Sequence, residues 1–364
     1  MLTAAVFLLI LTTAVVIHEL AHYLNAKSVG LDVRAFSVGM GPVIWRKQWR
    51  GTEWRVSLLP IGGYVDIPGM APKQDELGNL EHPDEGFATK NLWQKLWVLS
   101  GGVIANYLLA VVLLAAVITA QPNFRQMTTG LEPTAFGARI AGVVDDSVAQ
   151  TLGLKPGDVI LSVGGVDDPN PRQVTEAIQR AEGELALNVE RTGERLELAT
   201  PWPPVDAGER PLLGIQIEAL EVEDLPSVNF IQGLGEATAF TASIVPQSLR
   251  GFVDAFSSAF SGRQSEDVAG PVRMVGLTRE AAQAGFWQVI LLAALINFSL
   301  AIFNLLPIPG LDGGRMLLAS IVALRGKPFE PGREEFIHFL GFMAILAFIL
   351  LVTVSEVSGL FRAG

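Results

Sequence analysis

His18-Glu19-Leu20-Ala21-His22 puts two imidazoles and a carboxylate within one turn and a half of chain. On a helix His18 and His22 are i, i+4 neighbours on one face, able to hold one metal ion together. Glu19 lies beside them, placed to move protons to and from a water. Catalytic zinc takes three protein ligands and leaves one place open, so a third ligand must come from elsewhere. The chain has no cysteine, which leaves His and carboxylates to supply it. His82 lies in a polar stretch and His338 opens a late apolar run. Asp312 is the better candidate. It sits in Asn304-Leu305-Leu306-Pro307-Ile308-Pro309-Gly310-Leu311-Asp312-Gly313-Gly314, where two prolines break an apolar helix and paired glycines allow tight backbone beside the acid.

The element that carries the motif is itself unusual. Leu2 to Ile17 has no charge, and the next charge after the motif is Lys27. A helix from Leu2 to Asn25 is about 36 Å long at roughly 1.5 Å per residue, enough to cross a bilayer. Ionisable groups at that depth are costly and mark function, which argues against an idle structural helix and against a soluble metalloprotease. The chain is 50% hydrophobic, with mean hydropathy +0.39. Val98 to Gln121 and Ala281 to Leu311 are also uncharged, and Ile337 to Ser355 carries only His338. The expected fold is therefore a polytopic α-helical membrane protein with about four transmembrane helices, over residues 1–27, 96–121, 285–311 and 337–358. Trp93, Trp97 and Trp287 lie near span ends, as interfacial anchors do. The first span lacks a basic leader and a convincing cleavage site, so it is expected to remain in the mature protein.

Charge sets orientation. The connection over 26–97 carries Lys27, Arg34, Arg46, Lys47, Arg50, Arg55, Lys73, Lys90 and Lys95, and 312–336, expected as a loop, carries Arg315, Arg325, Lys327 and Arg333. The positive-inside rule puts both in the cytoplasm and the 121–285 segment outside. That segment has 12 basic and 23 acidic residues, which argues against nucleic acid as a partner.

Two stretches of 28–95, Phe36 to Pro42 and Trp54 to Val65, are rich in Gly and β-formers and too short to span. They predict a membrane-associated β-hairpin beside the motif helix, whose edge could accept an extended peptide near Gly39, Gly41, Gly62, Gly63 and Tyr64. Asp66 to Asn91 reads as a polar surface loop. Strands are expected at Ile140–Val144, Leu185–Glu190, Arg195–Ala199 and Leu213–Ile217, helices at Ala149–Leu154 and Gln173–Arg180, and a linker-like break at Pro201–Asp206. With Gly153-Leu154-Lys155-Pro156-Gly157-Asp158-Val159-Ile160, this run resembles a PDZ domain, an inserted α+β unit expected over 122–222. The resemblance implies a peptide groove between the strand of Arg139 and Val143 and the helix of Gln173–Arg180. Phe252, Phe256 and Phe260 mark an amphipathic helical connector over 223–284.

Together, the His-Glu-x-x-His motif, the Asn304–Gly314 segment, Gly39-x-Gly41, Gly62-Gly63-Tyr64 and the PDZ-like insert resemble the site-2 protease family of intramembrane zinc metalloproteases, in its bacterial form with one PDZ domain. The resemblance implies Zn2+ held by His18, His22 and Asp312, Glu19 as general base and acid, and Asn304 positioning substrate or stabilising an oxyanion. It implies a multi-pass protein of the bacterial cytoplasmic membrane, in contact with membrane lipid, whose active site faces the cytoplasmic side. Its substrates would be single-pass membrane proteins, such as anti-sigma factors or remnant signal peptides, first trimmed by an upstream site-1 protease. Many members carry a second Asn five residues before Asn304, where this chain has Ser299, with Asn297 two residues earlier. Nucleotide control through the cystathionine-β-synthase-type domain of some relatives is not expected. Two other readings are a non-catalytic membrane scaffold, which predicts loss of Glu19 or a ligand, and a metal transporter, which predicts a continuous polar path.

Overall fold

A computed structural model describes residues 2–70, 73–74, 80–81, 83–121, 123–130, 134–204, 212–223, 225–260 and 270–362. In chain order the elements are α1 (Leu2–Ser28), β1 (Ala35–Trp49), β2 (Thr52–Asp66), β3 (Lys73–Gln74), β4 (Leu80–Glu81), α2 (Leu92–Ala120), α3 (Asn123–Thr129), β5 (Thr134–Val143), α4 (Val148–Thr151), β6 (Val159–Val163), β7 (Val166–Asp167), α5 (Pro171–Arg180), β8 (Gly183–Arg191), β9 (Glu194–Trp202), β10 (Ile215–Glu223), α6 (Phe230–Phe260), α7 (Pro271–Ala284), α8 (Phe286–Leu305), α9 (Asp312–Arg325) and α10 (Arg333–Arg362). The chain divides into two compact units, Met1–Gln121 with Val228–Gly364, and Pro122–Ser227.

The first unit is helical. Among the described residues four helices are long and apolar enough to cross a membrane: Thr3–Ser28, Leu92–Ala120, Phe286–Leu305 and Arg333–Ser358. The third stops six residues earlier than its uncharged run suggests. Pro307 forces Leu306 out of helical geometry, to φ −61° and ψ 142°. The run 312–336, expected as a loop, instead begins with a 14-residue helix, α9, which a left-handed Gly326 terminates. Met316, Leu317, Leu318, Ile321 and Val322 give that helix an apolar stripe that the loop reading overlooked. The connector is helical as well. Phe252 of α6 packs its ring against Phe303 of α8 at 5.1 Å and Phe348 of α10 at 6.1 Å.

The hairpin β1–β2 is folded back on itself. Trp49 faces Thr52 and Trp45 faces Val56 near the turn, and Val38 faces Gly63 and Ala35 faces Asp66 at the open end. Residues 35–38 also lie beside 53–56, where partner numbers rise together from Ala35 with Glu53 to Val38 with Val56. The two strands thus make four lanes, with 63–66 on an outer one. Gly39 enables the fold: its φ is +83°, and a Cβ there would sit 2.5 Å from the Leu59 carbonyl oxygen. Tyr23, Ala26, Leu31, Val33, Phe36, Ile67 and Val98 form one buried cluster that roots this sheet on the ends of α1 and α2.

The second unit is a sheet in the order β10-β5-β6-β8-β9, with β7 paired to β6. Ile140, Ile160, Val163, Val174, Leu185, Leu187 and Trp202 fill its core. Asn170 and Gln173 form a reciprocal capping box at the start of α5, with Pro171 at its first position. The break expected at Pro201–Asp206 starts later. Pro201 and Trp202 belong to β9, because Trp202 is buried and its indole N–H donates to the Ile178 carbonyl at 2.8 Å. Residues 205 and 206 lie outside the described residues.

Candidate metal centre

His18, His22 and Asp312 meet, although the acid is 290 residues from His22 in sequence. His18 Nε2 lies 3.1 Å and His22 Nε2 3.2 Å from Asp312 Oδ2, and the two Nε2 atoms are 3.1 Å apart. Ligands of tetrahedral zinc, at about 2.0–2.1 Å from the metal, are about 3.3–3.4 Å from one another. The triangle is therefore of the size that zinc requires.

Proton placement agrees. The Val98 carbonyl can only accept, so His22 Nδ1 carries the hydrogen in their 2.8 Å bond and Nε2 keeps its lone pair for a metal. The amide of Asn106 lies 3.4 Å from His18 Nδ1, and its own Oδ1 is buried with no partner among the described residues. Turned end for end, that amide accepts the Nδ1–H of His18 and frees the second Nε2 in the same way. The donor set fits zinc.

α2 shapes the site from one face. Val98, Gly102 and Asn106 are spaced four apart and meet His22, His18 and His18 in turn. Any Cβ on Gly102 would strike the His18 ring, and one on Gly101 would come 2.9 Å from the Ala21 carbonyl oxygen. Asn25 Nδ2 donates to the Trp97 carbonyl at 2.7 Å, which continues the antiparallel contact to the end of α1. None of these α2 residues was singled out as a site residue from sequence. The one available signal was a glycine pair inside an apolar span.

α9 presents Asp312 from its first turn, where a helix N-terminus favours an anion. Gly313 lies against the carbonyls of Leu305 and Leu306, and Gly314 against that of Ile308, with no room for a side chain.

The sheet reaches the same place. Thr12 Oγ1 donates to the Pro60 carbonyl at 2.9 Å, while Tyr23 stacks edge-on to Phe36 and Trp54. The sheet thus follows α1 over 11 residues, roughly 16 Å. A Cβ on Gly63 would lie 3.4 Å from Glu19 Cγ and 2.8 Å from the Ser37 carbonyl oxygen, so outer lane 63–66 passes directly beside Glu19. Tyr64 Oη is held by Arg55 at 2.7 Å. Gly41 and Gly62 are at the inner bend, with Gly62 against Met40.

Other expected residues stand apart. Asn304 Nδ2 donates to its own helix at Leu300 O, 3.0 Å, and Asn297 Nδ2 does the same at Ala293 O, 2.8 Å. No bond from either to the triangle occurs among the described residues. His338 bonds Gly310 instead. His82 lies outside the described residues. Arg139 and Val143 are in the second unit, on an interior strand: β10 pairs with β5 there, Glu218 opposite Arg139 and Ile215 opposite Val143. A peptide cannot add to that edge. Among the described residues the edge strands are β10 and β9, and β10 is the one beside β5, which the linear order of strands did not reveal.

The model of peptidase family M50 matches residues 6–348. The chain belongs to peptidase family M50. This M50 peptidase is 31% identical to a provisionally named zinc metalloprotease of Agrobacterium fabrum, over 97% of the chain and 95% of the relative. A similarly named Nostoc protein is 31% identical over 96% and 94%. The provisionally named protease eep of Enterococcus faecalis is 26% identical over 99% and 100%. The M50 peptidase is a zinc metalloprotease, and its four apolar helices make it an integral membrane protein.

Proposed function

We propose that this M50 peptidase cuts peptide bonds within the membrane-spanning segments of single-pass proteins. The observation that carries this reading is the His18–His22–Asp312 triangle with Glu19 beside it, held on a membrane-spanning helix and flanked by the sheet lane 63–66. His18, His22 and Asp312 would hold zinc, which supplies a Lewis acid that polarises the scissile carbonyl and makes water more acidic. Glu19 takes a proton from the attacking water and delivers it to the leaving amine.

A helical substrate has no free backbone groups, so it must be extended before it is cut. Residues 63–66 are paired on one side only among the described residues, to 35–38. A substrate strand added there would satisfy its own backbone and lie across Glu19. Asn304, at the end of α8, would meet substrate once its amide leaves the Leu300 carbonyl.

Basic residues in 26–97 and 312–336 favour both termini outside and the cleavage chemistry toward the cytoplasmic side of a bacterial cytoplasmic membrane. His18 lies about 15 Å from the C-terminal end of α1, consistent with that depth. The second unit reads as the PDZ domain, with β10 and α5 flanking its groove. As an extracytoplasmic size filter it would exclude intact ectodomains, so that trimmed anti-sigma factors or remnant signal peptides remain as substrates.

Cleavage of a tagged, trimmed single-pass substrate in detergent tests this. Wild type should cut, and Glu19→Gln should bind zinc normally yet lose about 10²–10⁴-fold in rate. Equal cleavage by both proteins would remove Glu19 from the mechanism.

A further inference from the structure

We propose that His338 is a positioning residue for Asp312: its imidazole on α10 fixes the turn that delivers the metal-ligating carboxylate. The proposal rests on the reading of Asp312 as a zinc ligand.

Asp312 follows a short irregular segment between α8 and α9, and such a segment has few bonds of its own. Ile308 N donates to Leu306 O at 2.7 Å and Leu311 N to Ile308 O at 3.1 Å. The Gly310 N–H is different. It leaves the segment and donates to His338 Nδ1 at 3.0 Å. Gly310 is in left-handed geometry, φ +96°, which directs that N–H outward. Two further contacts clamp the same point. Gly341 presses its bare backbone on the Pro309 carbonyl, with no space for a Cβ, and a Cβ on Gly310 would come 3.0 Å from Phe342 N. One face of α10 therefore holds Pro309 and Gly310, three and two residues before the ligand.

The bond also sets the state of the ring. A backbone N–H can only donate, so Nδ1 is the acceptor and the single imidazole hydrogen is on Nε2. Among the described residues Nε2 has no hydrogen-bond partner, and Glu334 Oε1 lies 3.9 Å from it. Arg315, Glu334 and Glu335 line, with His338, a cavity of about 230 Å³. None of them replaces Nδ1 at Gly310. His338 is thus not a spare metal ligand; it acts on the metal through the backbone that carries Asp312.

The test reads zinc retention in the full-length protein in detergent, by release of bound zinc to an excess of chelating dye, with melting temperature alongside. His338→Ala should release zinc about 10-fold faster, as loss of outer support for a ligand does. Asparagine places an acceptor oxygen on Cγ, where Nδ1 is attached, so His338→Asn should restore slow release. Glutamine carries its oxygen one bond too far, and His338→Gln should behave as Ala. Release from Ala at the wild-type rate, or from Asn as fast as from Gln, overturns the proposal. If Ala fails to fold, the Asn and Gln pair decides alone. Asp312→Asn separates the two levels. Its retaining zinc like wild type would sink the ligand reading itself, whereas its losing zinc while His338→Ala keeps it would sink only the role of His338.

Discussion

At the scale of single residues, the centre depends on what is small as much as on what binds. In the proposed centre zinc would be held through Nε2 of both histidines, and each ring is oriented through its other nitrogen, His22 by Val98 and His18 by Asn106. Gly102 makes this possible by letting α2 approach the His18 ring. Gly102→Ala is expected to leave the fold intact, because the group it displaces is the end of a side chain, yet to move a ligand. Zinc affinity should fall at least about 10-fold, measured by chelator competition, with little change in melting temperature. Unchanged affinity would mean that the helices separate freely to admit the methyl group.

At the scale of elements, irregular backbone does the positioning. Pro307 and Pro309 end α8 early, which creates the turn from which α9 projects Asp312. β1 and β2 give up simple hairpin pairing so that lane 63–66 can run beside Glu19. The second unit shows an element held by charge. Asp158, in the turn before β6, is buried; Arg191 Nε and Nη2 each donate to it at 2.7 Å, and the Lys155 N–H donates at 2.9 Å. Burial would raise its carboxyl, but these bonds hold it below the ordinary value. A depressed folded-state value contributes stability that is fully present above the unfolded value, near pH 4, and lost as pH falls through the folded one. Asp158→Asn should cost about 2 kcal/mol at pH 7 and flatten the acid limb of the melting curve below about pH 4. A variant with the wild-type acid limb would show that the pair contributes nothing.

At the scale of the whole molecule, the proposed metal centre is assembled from both ends of the chain. The helical unit is made of Met1–Gln121 and Val228–Gly364, with the sheet unit inserted between them. The ligands can meet only when both parts have packed, so partial folding exposes no assembled centre. Insertion also lets the proposed filtering role of the sheet unit be tested apart from cleavage. Replacing residues 123–226 by a short flexible linker should retain cleavage of a trimmed substrate and gain cleavage of the same substrate with its ectodomain intact. Continued rejection of the intact form would rule out the size filter.

The His-Glu-x-x-His motif and four apolar runs are local patterns, and they defined the chemistry and the spans. Asp312 was also legible, because prolines and paired glycines around an acid leave a short-range signature. Other features depended on contacts between distant segments, which no local pattern encodes. Gly102 and Asn106 look like ordinary span residues until α1 lies against them, and α9 was hidden by the charges that suggested a loop. The strand of Arg139 and Val143 was expected to flank a peptide groove, but strand order in a sheet is not strand order in the chain; β10 returns across the unit and pairs with it. Sequence named the reactive groups because their chemistry is their own. The tertiary structure decided which nitrogen of each histidine is left free for a metal, which strands lie at the sheet edges and that Asp312 meets the two histidines, because those are properties of packing.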